Sequence, residues 1–196
     1  MASLTEREKK ALLTLLKEFD KYYNAHSMSK VLGISHAGTQ KLLKRLLNEN
    51  LLVSKTIGKS IVYKLKLEDD YVSKLLIFLL ADEATRFERW KDEFEGLSKE
   101  GRIVMIYGSA IKDYKTAHDI DIMLVIKKGE SEEVHKALEE KKQILPKRIH
   151  AIKLTKQDLL DNIKKKNKTT LDIIKNAIIL SGQETYVELI KNFTIF

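Results

Sequence analysis

The 196-residue chain contains no cysteine, and its 36 Lys and Arg against 28 Asp and Glu give a net charge of +8. The lack of cysteine excludes disulfides, zinc fingers and thiol catalysis. No apolar run approaches the roughly 20 residues that span a bilayer, and the first seven residues lack the apolar core of a secretory signal. We therefore expect a soluble, cytoplasmic protein without a membrane partner.

The positive charge is concentrated near the N-terminus. Residues 1–68 contain 13 Lys and Arg against 6 Asp and Glu, a net charge of +7, whereas the remainder contributes +1. A polyanion is the partner that such an excess favours, because neutralisation of phosphates drives non-specific nucleic-acid binding. A solvated basic face is the alternative that charge alone leaves open.

The first helices are predicted from their capping residues. Thr5 and Glu8 form a capping box before an apolar stripe over residues 12–19. Ser27 is predicted to begin a short helix, which Gly33 ends in the way that glycine commonly does.

A third helix and a hairpin follow. Ser35 is predicted to cap a helix that runs to about Asn48. The predicted buried face of this helix consists of Leu42, Leu43, Leu46 and Leu47. Two β-prone runs, 51–55 and 61–67, flank a turn at Gly58 and predict a hairpin.

Three helices followed by a hairpin is the winged-helix order, and residues 28–47 resemble the winged helix-turn-helix of bacterial and archaeal regulators. The resemblance covers about residues 5–67 and implies binding to double-stranded DNA. His36, Gln40 and Lys44 share one face of the third helix, where they could reach base edges and phosphates. The predicted DNA-binding residues are His36, Gln40, Lys41, Lys44, Arg45, Lys55 and Lys59, with Lys64 as a further basic residue of the hairpin. A protein-interaction module is the alternative for this fold.

Helical spacing returns over residues 69–97 and predicts one long helix or two short ones that join the domains. The apolar side of this segment packs either within the chain or in a dimer. Because winged-helix regulators commonly read two half-sites, we expect a homodimer, with this segment as its interface.

Strand and helix patterns alternate over residues 98–196. The predicted strands are 102–107, 119–126 and 148–154, and the predicted helices are 132–143, 157–165, 171–179 and 184–192. The expected fold class is therefore α+β, with a winged helix at residues 1–68, linker helices at 69–97 and a mixed sheet with flanking helices at 98–196.

The chemistry of this C-terminal domain is concentrated in two short motifs. Asp119 and Asp121 alternate on a strand, so both carboxylates project from one face. Their mutual repulsion is removed by a divalent cation, which carboxylates and nucleotide phosphates commonly bind together. Gly108 and Ser109, at a predicted strand-to-helix turn, would let backbone N–H groups and a hydroxyl approach a phosphate, and Lys112 adds positive charge one turn later.

These two motifs, nine residues apart, resemble the signature of the DNA polymerase β-type nucleotidyltransferases, above all the minimal nucleotidyltransferases of archaea and bacteria. The resemblance covers about residues 98–190, and it likens residues 178–186 to that group's C-terminal helix region. It implies that Asp119 and Asp121 are catalytic and bind Mg²⁺ (or Mn²⁺), and that Gly108, Ser109 and Lys112 bind a nucleoside triphosphate. The implied acceptor of the nucleotidyl group is a protein, such as a toxin-like helical partner, or a nucleic acid.

Two features depart from the family pattern. One is that His118 precedes the first aspartate and Asp113 stands where a glycine is common in relatives, and the other concerns a third carboxylate. Active members usually carry a third carboxylate on the next strand, but residues 147–154 contain none, and His150 or Arg148 would occupy that face. The sequence therefore leaves two hypotheses open. One is a nucleotidyltransferase, and the other is a non-catalytic transcriptional regulator whose degenerate domain senses a ligand or dimerises.

Overall fold

The computed structural model describes residues 3–194 and residue 196. Helices and two separate β-sheets make up this part of the chain, which is therefore α+β as predicted. Two compact units are formed, the first by the described part of Met1–Leu79 with Ile190–Phe196, the second by Leu80–Leu189. Their border falls within the segment that the sequence predicts as a linker. The predicted domain borders at residues 68 and 97 stay predictions.

The first unit is built from helices and a small antiparallel sheet. Its elements are α1 (Glu6–Lys17), β1 (Tyr23–Asn24), α2 (Ala25–Leu32), α3 (His36–Asn48), β2 (Leu52–Ile57) and β3 (Ser60–Leu65). The strands are hydrogen-bonded in the order β1-β3-β2. Ile57 pairs with Ser60 across a tight turn, and Gly58 takes the positive φ, +58°, that such a turn requires.

Side-chain caps begin these helices, and one of them differs from the prediction. The capping box of Thr5 and Glu8 is confirmed, because each side chain accepts a hydrogen bond from the other residue's backbone N–H. The cap of α2 is Asn24, three residues before the predicted Ser27, which instead completes a capping box. Gly33 ends α2 in the left-handed conformation, as predicted.

Helix α3 has the predicted length but a different buried face. Ser35 caps it by accepting a hydrogen bond from the backbone of Gly38. Its buried side chains are Thr39, Leu43 and Leu46. Leu42 and Leu47 are only half-buried, so the prediction of four buried leucines was wrong at these two positions.

The remaining helices and strands surround a second sheet. Helix α4 (Asp70–Thr85) crosses the border between the units. After it come α5 (Glu88–Glu93), a 3-10 helix (Glu95–Leu97), β4 (Ile103–Tyr107), β5 (Asp119–Ile126), α6 (Ser131–Ile144), β6 (Arg148–Thr155), α7 (Lys156–Lys164), α8 (Lys168–Asn176), β7 (Ile178–Ser181) and α9 (Gln183–Lys191). The predicted linker thus contains two α-helices and not one long helix.

This second sheet is mixed, with the strand order β6-β5-β4-β7. Strand β5 is parallel to β6, while β4 is antiparallel to both of its neighbours. The prediction of a helix over 171–179 was wrong at its end, because Ile178 pairs with Ile106 in strand β7. Residues 178–186 therefore form a strand followed by the start of a helix.

The two faces of the sheet pack against different helices. On one face lies a buried cluster to which β5, α5 and α6 contribute Ile120, Ile122, Leu124, Trp90, Val134 and Leu138. Helix α7 contacts β5 and β6, and its buried Leu159 and Ile163 lie outside that cluster. Helix α7 therefore packs on the opposite face, to which the odd-numbered residues of β5 point.

Within the described residues, no helix combines the length and the apolar character that crossing a bilayer requires.

Candidate metal site and nucleic-acid surface

Asp119 and Asp121 begin strand β5 and project from the same face, as predicted. Between them Ile120 is fully buried on the other face, which fixes the alternation. The carboxylates are partly exposed, at 31% and 23% of their side-chain area. They are therefore held by a buried strand but remain open to solvent.

His150 completes this pair into a cluster of three. In the parallel pairing of β5 and β6 it lies beside Asp121. Its Nδ1 is 3.1 Å from Oδ2 of Asp119 and 3.6 Å from Oδ1 of Asp121. One ligand atom from each residue lies within 4.8 Å of the others, so the three donors could share one metal ion.

Sequence reasoning placed His150 or Arg148 on this face but did not include either among the metal ligands. Arg148 pairs with Asp119 in the strand register and is exposed, and it has no atom that can bind a cation. The signal that could have identified His150 is the pairing of β5 with β6 in parallel, which sets the histidine level with Asp121.

The charges of this site are not balanced within the protein. Burial, and then the neighbouring charge of Asp119, raise the pKa of Asp121 above its ordinary value, while His150 acts in the opposite direction. The pKa of Tyr107, which pairs with Asp121 on β4, is also raised, first by burial and then by Asp121 and Asp119. A cation between the carboxylates would relieve this excess of negative charge.

Gly108 brings the end of β4 against the acidic pair. Its φ is +81°, and a β-carbon at this position would lie 2.2 Å from Oδ2 of Asp121. Only glycine therefore fits here, for reasons of both conformation and space. The predicted association of the Gly-Ser turn with the carboxylates is seen at Gly108.

The chain after Gly108 does not form the predicted helix. Consecutive turns begin at Ser109, whose carbonyl accepts hydrogen bonds from the backbone N–H groups of Lys112 and Asp113 at 3.0 and 3.1 Å. The prediction of a helix directly after the Gly-Ser turn was therefore wrong, whereas phosphate binding by these residues stays a prediction. The side chains of Ser109 and Lys112 are nevertheless exposed.

Lys147 stabilises the segment of turns that precedes Asp119. Its ammonium group donates hydrogen bonds to the carbonyls of Tyr114, Lys115 and Ala117. The Tyr114 ring lies 3.7 Å from the guanidinium carbon of Arg89. These contacts were not predicted, because they join residues 25 to 33 positions apart along the chain.

The predicted DNA-binding residues form a mostly exposed set in the first unit. Those with exposed side chains are His36, Gln40, Lys41 and Lys44 on α3, and Lys55 and Lys59 on the hairpin. Lys64 does not belong to this surface, because it is buried and donates a hydrogen bond to the carbonyl of Phe19 at 3.2 Å.

Arg45 is placed differently from the other basic residues of α3. Its guanidinium lies 3.1 Å from Glu8 and 3.0 Å from Glu49. The hydrogen bond to Glu49 and the charge of Glu8 raise the pKa of Arg45. Two carboxylates thus already engage this side chain, which stabilises the contact between α1 and α3.

Comparison of the chain with models of known families, with curated proteins and with solved structures finds no match in any of the three.

Proposed function

We propose that the C-terminal unit is a nucleotidyltransferase domain that binds a divalent cation, Mg²⁺ or Mn²⁺, together with a nucleoside triphosphate. The observation that carries this proposal is the convergence of Asp119 and Asp121 beside the glycine of the Gly-Ser turn. Two carboxylates and an imidazole are donors that divalent ions accept. Burial and then the charge of Asp119 raise the pKa of Asp121, and a bound cation would act in the opposite direction.

Each residue has a role in this proposal. Asp119 and Asp121 hold the cation, which when bound neutralises phosphate charge and polarises the phosphoryl oxygens. Gly108 lets the chain approach, the Ser109 hydroxyl donates to a phosphate oxygen, and Lys112 adds positive charge. An acceptor hydroxyl then forms a bond to the α-phosphorus, the bond to the β-phosphate's bridging oxygen breaks, pyrophosphate leaves, and the hydroxyl proton passes to solvent.

The test is to incubate the protein with ATP labelled on the α-phosphate or, separately, on the γ-phosphate, with Mg²⁺ or Mn²⁺ and with protein and RNA fractions of cells. Transfer of the α-label alone is expected, since a nucleotidyl group carries only that phosphate. The gel band that carries the label identifies a protein acceptor, including a toxin-like helical partner, or a nucleic acid.

The matched variants make this test specific to the site. Asp119→Asn with Asp121→Asn should abolish the label. Glu132→Gln with Glu140→Gln changes the net charge equally at two exposed positions of α6 and should leave it intact. Transfer that survives in the Asp119 and Asp121 variant contradicts the proposal.

For the first unit the proposal is a winged helix that reads double-stranded DNA. The order of α1, α2, α3 and the β2–β3 hairpin supports it, as do the exposed polar residues of α3. In this arrangement α3 enters the major groove and the hairpin reaches backbone phosphates.

A homodimer belongs to the same proposal. Tyr71 and Phe78 on α4 are 49% and 60% exposed, beside an apolar cavity of about 850 Å³ that Leu4 and Leu51 also line. Exposed aromatic side chains beside an apolar groove are typical of interaction surfaces. Sedimentation of the protein should give a dimer that Phe78→Lys converts to a monomer; a wild-type monomer at micromolar concentration contradicts this part.

A second candidate is a transcriptional regulator whose C-terminal unit binds a ligand without turnover. The observation that favours it is His150 in the place where the family resemblance implies a third carboxylate. Calorimetry with ATP and a divalent cation, read together with the label-transfer test, separates the two candidates. The regulator binds nucleotide but transfers no label.

A further inference from the structure

We infer that His150 is the third ligand of the cation held by Asp119 and Asp121, and that this site takes Mn²⁺ in preference to Mg²⁺. The inference rests on the proposed function for its cation site but not for the transfer reaction. It names the ion that the proposed function leaves open between Mg²⁺ and Mn²⁺.

The three donors are held by regular strand pairing and not by a flexible loop. Asp121 and His150 are partners in a parallel register that continues without a shift from Asp119 and Arg148 to Ile126 and Thr155. The distances from Nδ1 to the two carboxylates, 3.1 and 3.6 Å, follow from this register. Among the described residues, this is the one group of three His or carboxylate side chains whose ligand atoms converge.

The composition of this donor set decides which ion is favoured. Mg²⁺ prefers oxygen ligands in near-ideal octahedral geometry and gives up its waters reluctantly. An imidazole nitrogen suits later first-row ions, and Mn²⁺ accepts carboxylate oxygens as well. The change from an all-carboxylate site to one with His150 therefore shifts the preference from Mg²⁺ towards Mn²⁺. The imidazole is 59% exposed, which leaves space for water or phosphate oxygens beside it.

A competing interpretation treats His150 only as a partner for the aspartates. Its contact with Asp119 would then neutralise charge within the protein, and a metal ion would have to displace it. The two interpretations predict different effects on Mn²⁺ binding when the imidazole is removed. If His150 is a ligand, removing its imidazole weakens Mn²⁺ binding, whereas if it is a competitor, removing it leaves Mn²⁺ binding unchanged or strengthens it.

The experiment uses the full chain freed of metal by a chelator. Free Mn²⁺ is measured by electron paramagnetic resonance during titration, and Mg²⁺ is measured by its displacement of bound Mn²⁺. The wild type is compared with His150→Ala and His150→Asp, and with His135→Ala as the control. His135 is 60% exposed on α6 and lies 3.8 Å from Glu139.

The expected result is a change in the ratio of the two Kd values. His150→Ala should weaken Mn²⁺ by roughly tenfold or more, the scale on which changes in a metal site's surroundings act, and should weaken Mg²⁺ less. His150→Asp should lower the Mn²⁺-over-Mg²⁺ preference by about tenfold, and His135→Ala should behave as wild type. Because His150 is exposed, these variants are expected to fold, which circular dichroism checks.

A spectroscopic readout separates ligation from a structural role. Bound Mn²⁺ should show ¹⁴N electron spin-echo modulation in the wild type and in His135→Ala, and none in His150→Ala. Unchanged Mn²⁺ affinity in His150→Ala, or absence of ¹⁴N coupling in the wild type, overturns the inference. If bound Mn²⁺ shows ¹⁴N coupling but no label is transferred, only the proposed transfer reaction is overturned. If label transfer with Mg²⁺ is equal in His150→Ala and in the wild type, only this inference is overturned.

Discussion

A β-carbon on Gly108 would lie 2.2 Å from Oδ2 of Asp121 and 3.2 Å from its Cγ. Gly108 directly follows β4, whose last residue, Tyr107, pairs with Asp121 of β5. The sheet thus sets the end of β4 directly against a carboxylate of β5. The Gly-Ser turn and the aspartates therefore form one site although nine residues lie between Ser109 and Asp119.

Gly108→Ala should displace the Asp121 carboxylate and so weaken Mn²⁺ binding by roughly tenfold or more, with a loss of stability of about 1–3 kcal/mol from the left-handed backbone. Gly129→Ala is the matched control, because Gly129 also has a positive φ, +96°, but nothing lies within 4 Å of its β-carbon position. Metal titration and urea unfolding measure both effects. Equal Mn²⁺ affinity in the two variants would show that the contact with Asp121 is unimportant.

The parts of the fold that the sequence predicts well are those whose determinants are local. Strand β5 has the predicted bounds, Asp119–Ile126, because its alternation and its apolar run lie in one stretch of sequence. The capping box of Thr5 and Glu8 is likewise contained within four residues.

The parts that the sequence did not predict depend on partners far along the chain. Strand β7 continues a helical spacing, and only its pairing with Ile106 makes Ile178 extended. The contact of Arg45 with Glu8 was not predicted because the two residues are 37 positions apart in the sequence, while binding of Arg45 to DNA stays a prediction. The contact of His150 with Asp119 and Asp121 was missed for the same reason, since the register of two strands decides it.

Acid should destabilise the second unit through the carboxylates around Arg102. This arginine is buried, and its guanidinium lies 3.2 Å from Glu130 and 3.0 Å from Glu133. Hydrogen bonds from Lys99 and then Arg102 lower the pKa of Glu133. A carboxyl whose folded pKa is lowered contributes stability above its unfolded pKa, about 4.3 for glutamate, and loses it as the pH falls through the folded pKa.

Urea unfolding as a function of pH checks this prediction. The free energy of unfolding should fall as the pH drops below about 4.3, and Glu133→Gln should make that fall less steep. Glu132→Gln is the control, since Glu132 is 82% exposed and its ion pair is with Lys136 on the same helix. An identical pH slope for the two variants would refute the assignment to Glu133.

Lys41→Glu with Lys44→Glu should weaken binding to double-stranded DNA by at least about tenfold. The binding constant should also depend less steeply on salt concentration, by the counterion release of about two phosphates. Arg45 is left unchanged, because reversing its charge would set like charges against the buried Glu8. Lys128→Glu with Lys136→Glu changes the net charge equally at exposed positions of the second unit and should bind as wild type. Fluorescence anisotropy over a range of salt concentrations measures both quantities, and equal loss in the two double variants would leave no role for α3.

Lys147→Met should loosen the turns between Ser109 and Asp119, because three carbonyls of that segment lose their donor. Each carbonyl left without a partner costs about 1–3 kcal/mol if it stays buried, so the segment is expected to open to water instead. Lys142→Met is the control, since Lys142 is exposed and donates to Glu139 on its own helix. Hydrogen exchange should quicken over residues 110–117 in Lys147→Met alone, and Mn²⁺ affinity should fall with it because Asp119 follows directly. Unchanged exchange there would mean that Tyr114, packed between Arg89 and Trp90, holds the segment without the lysine.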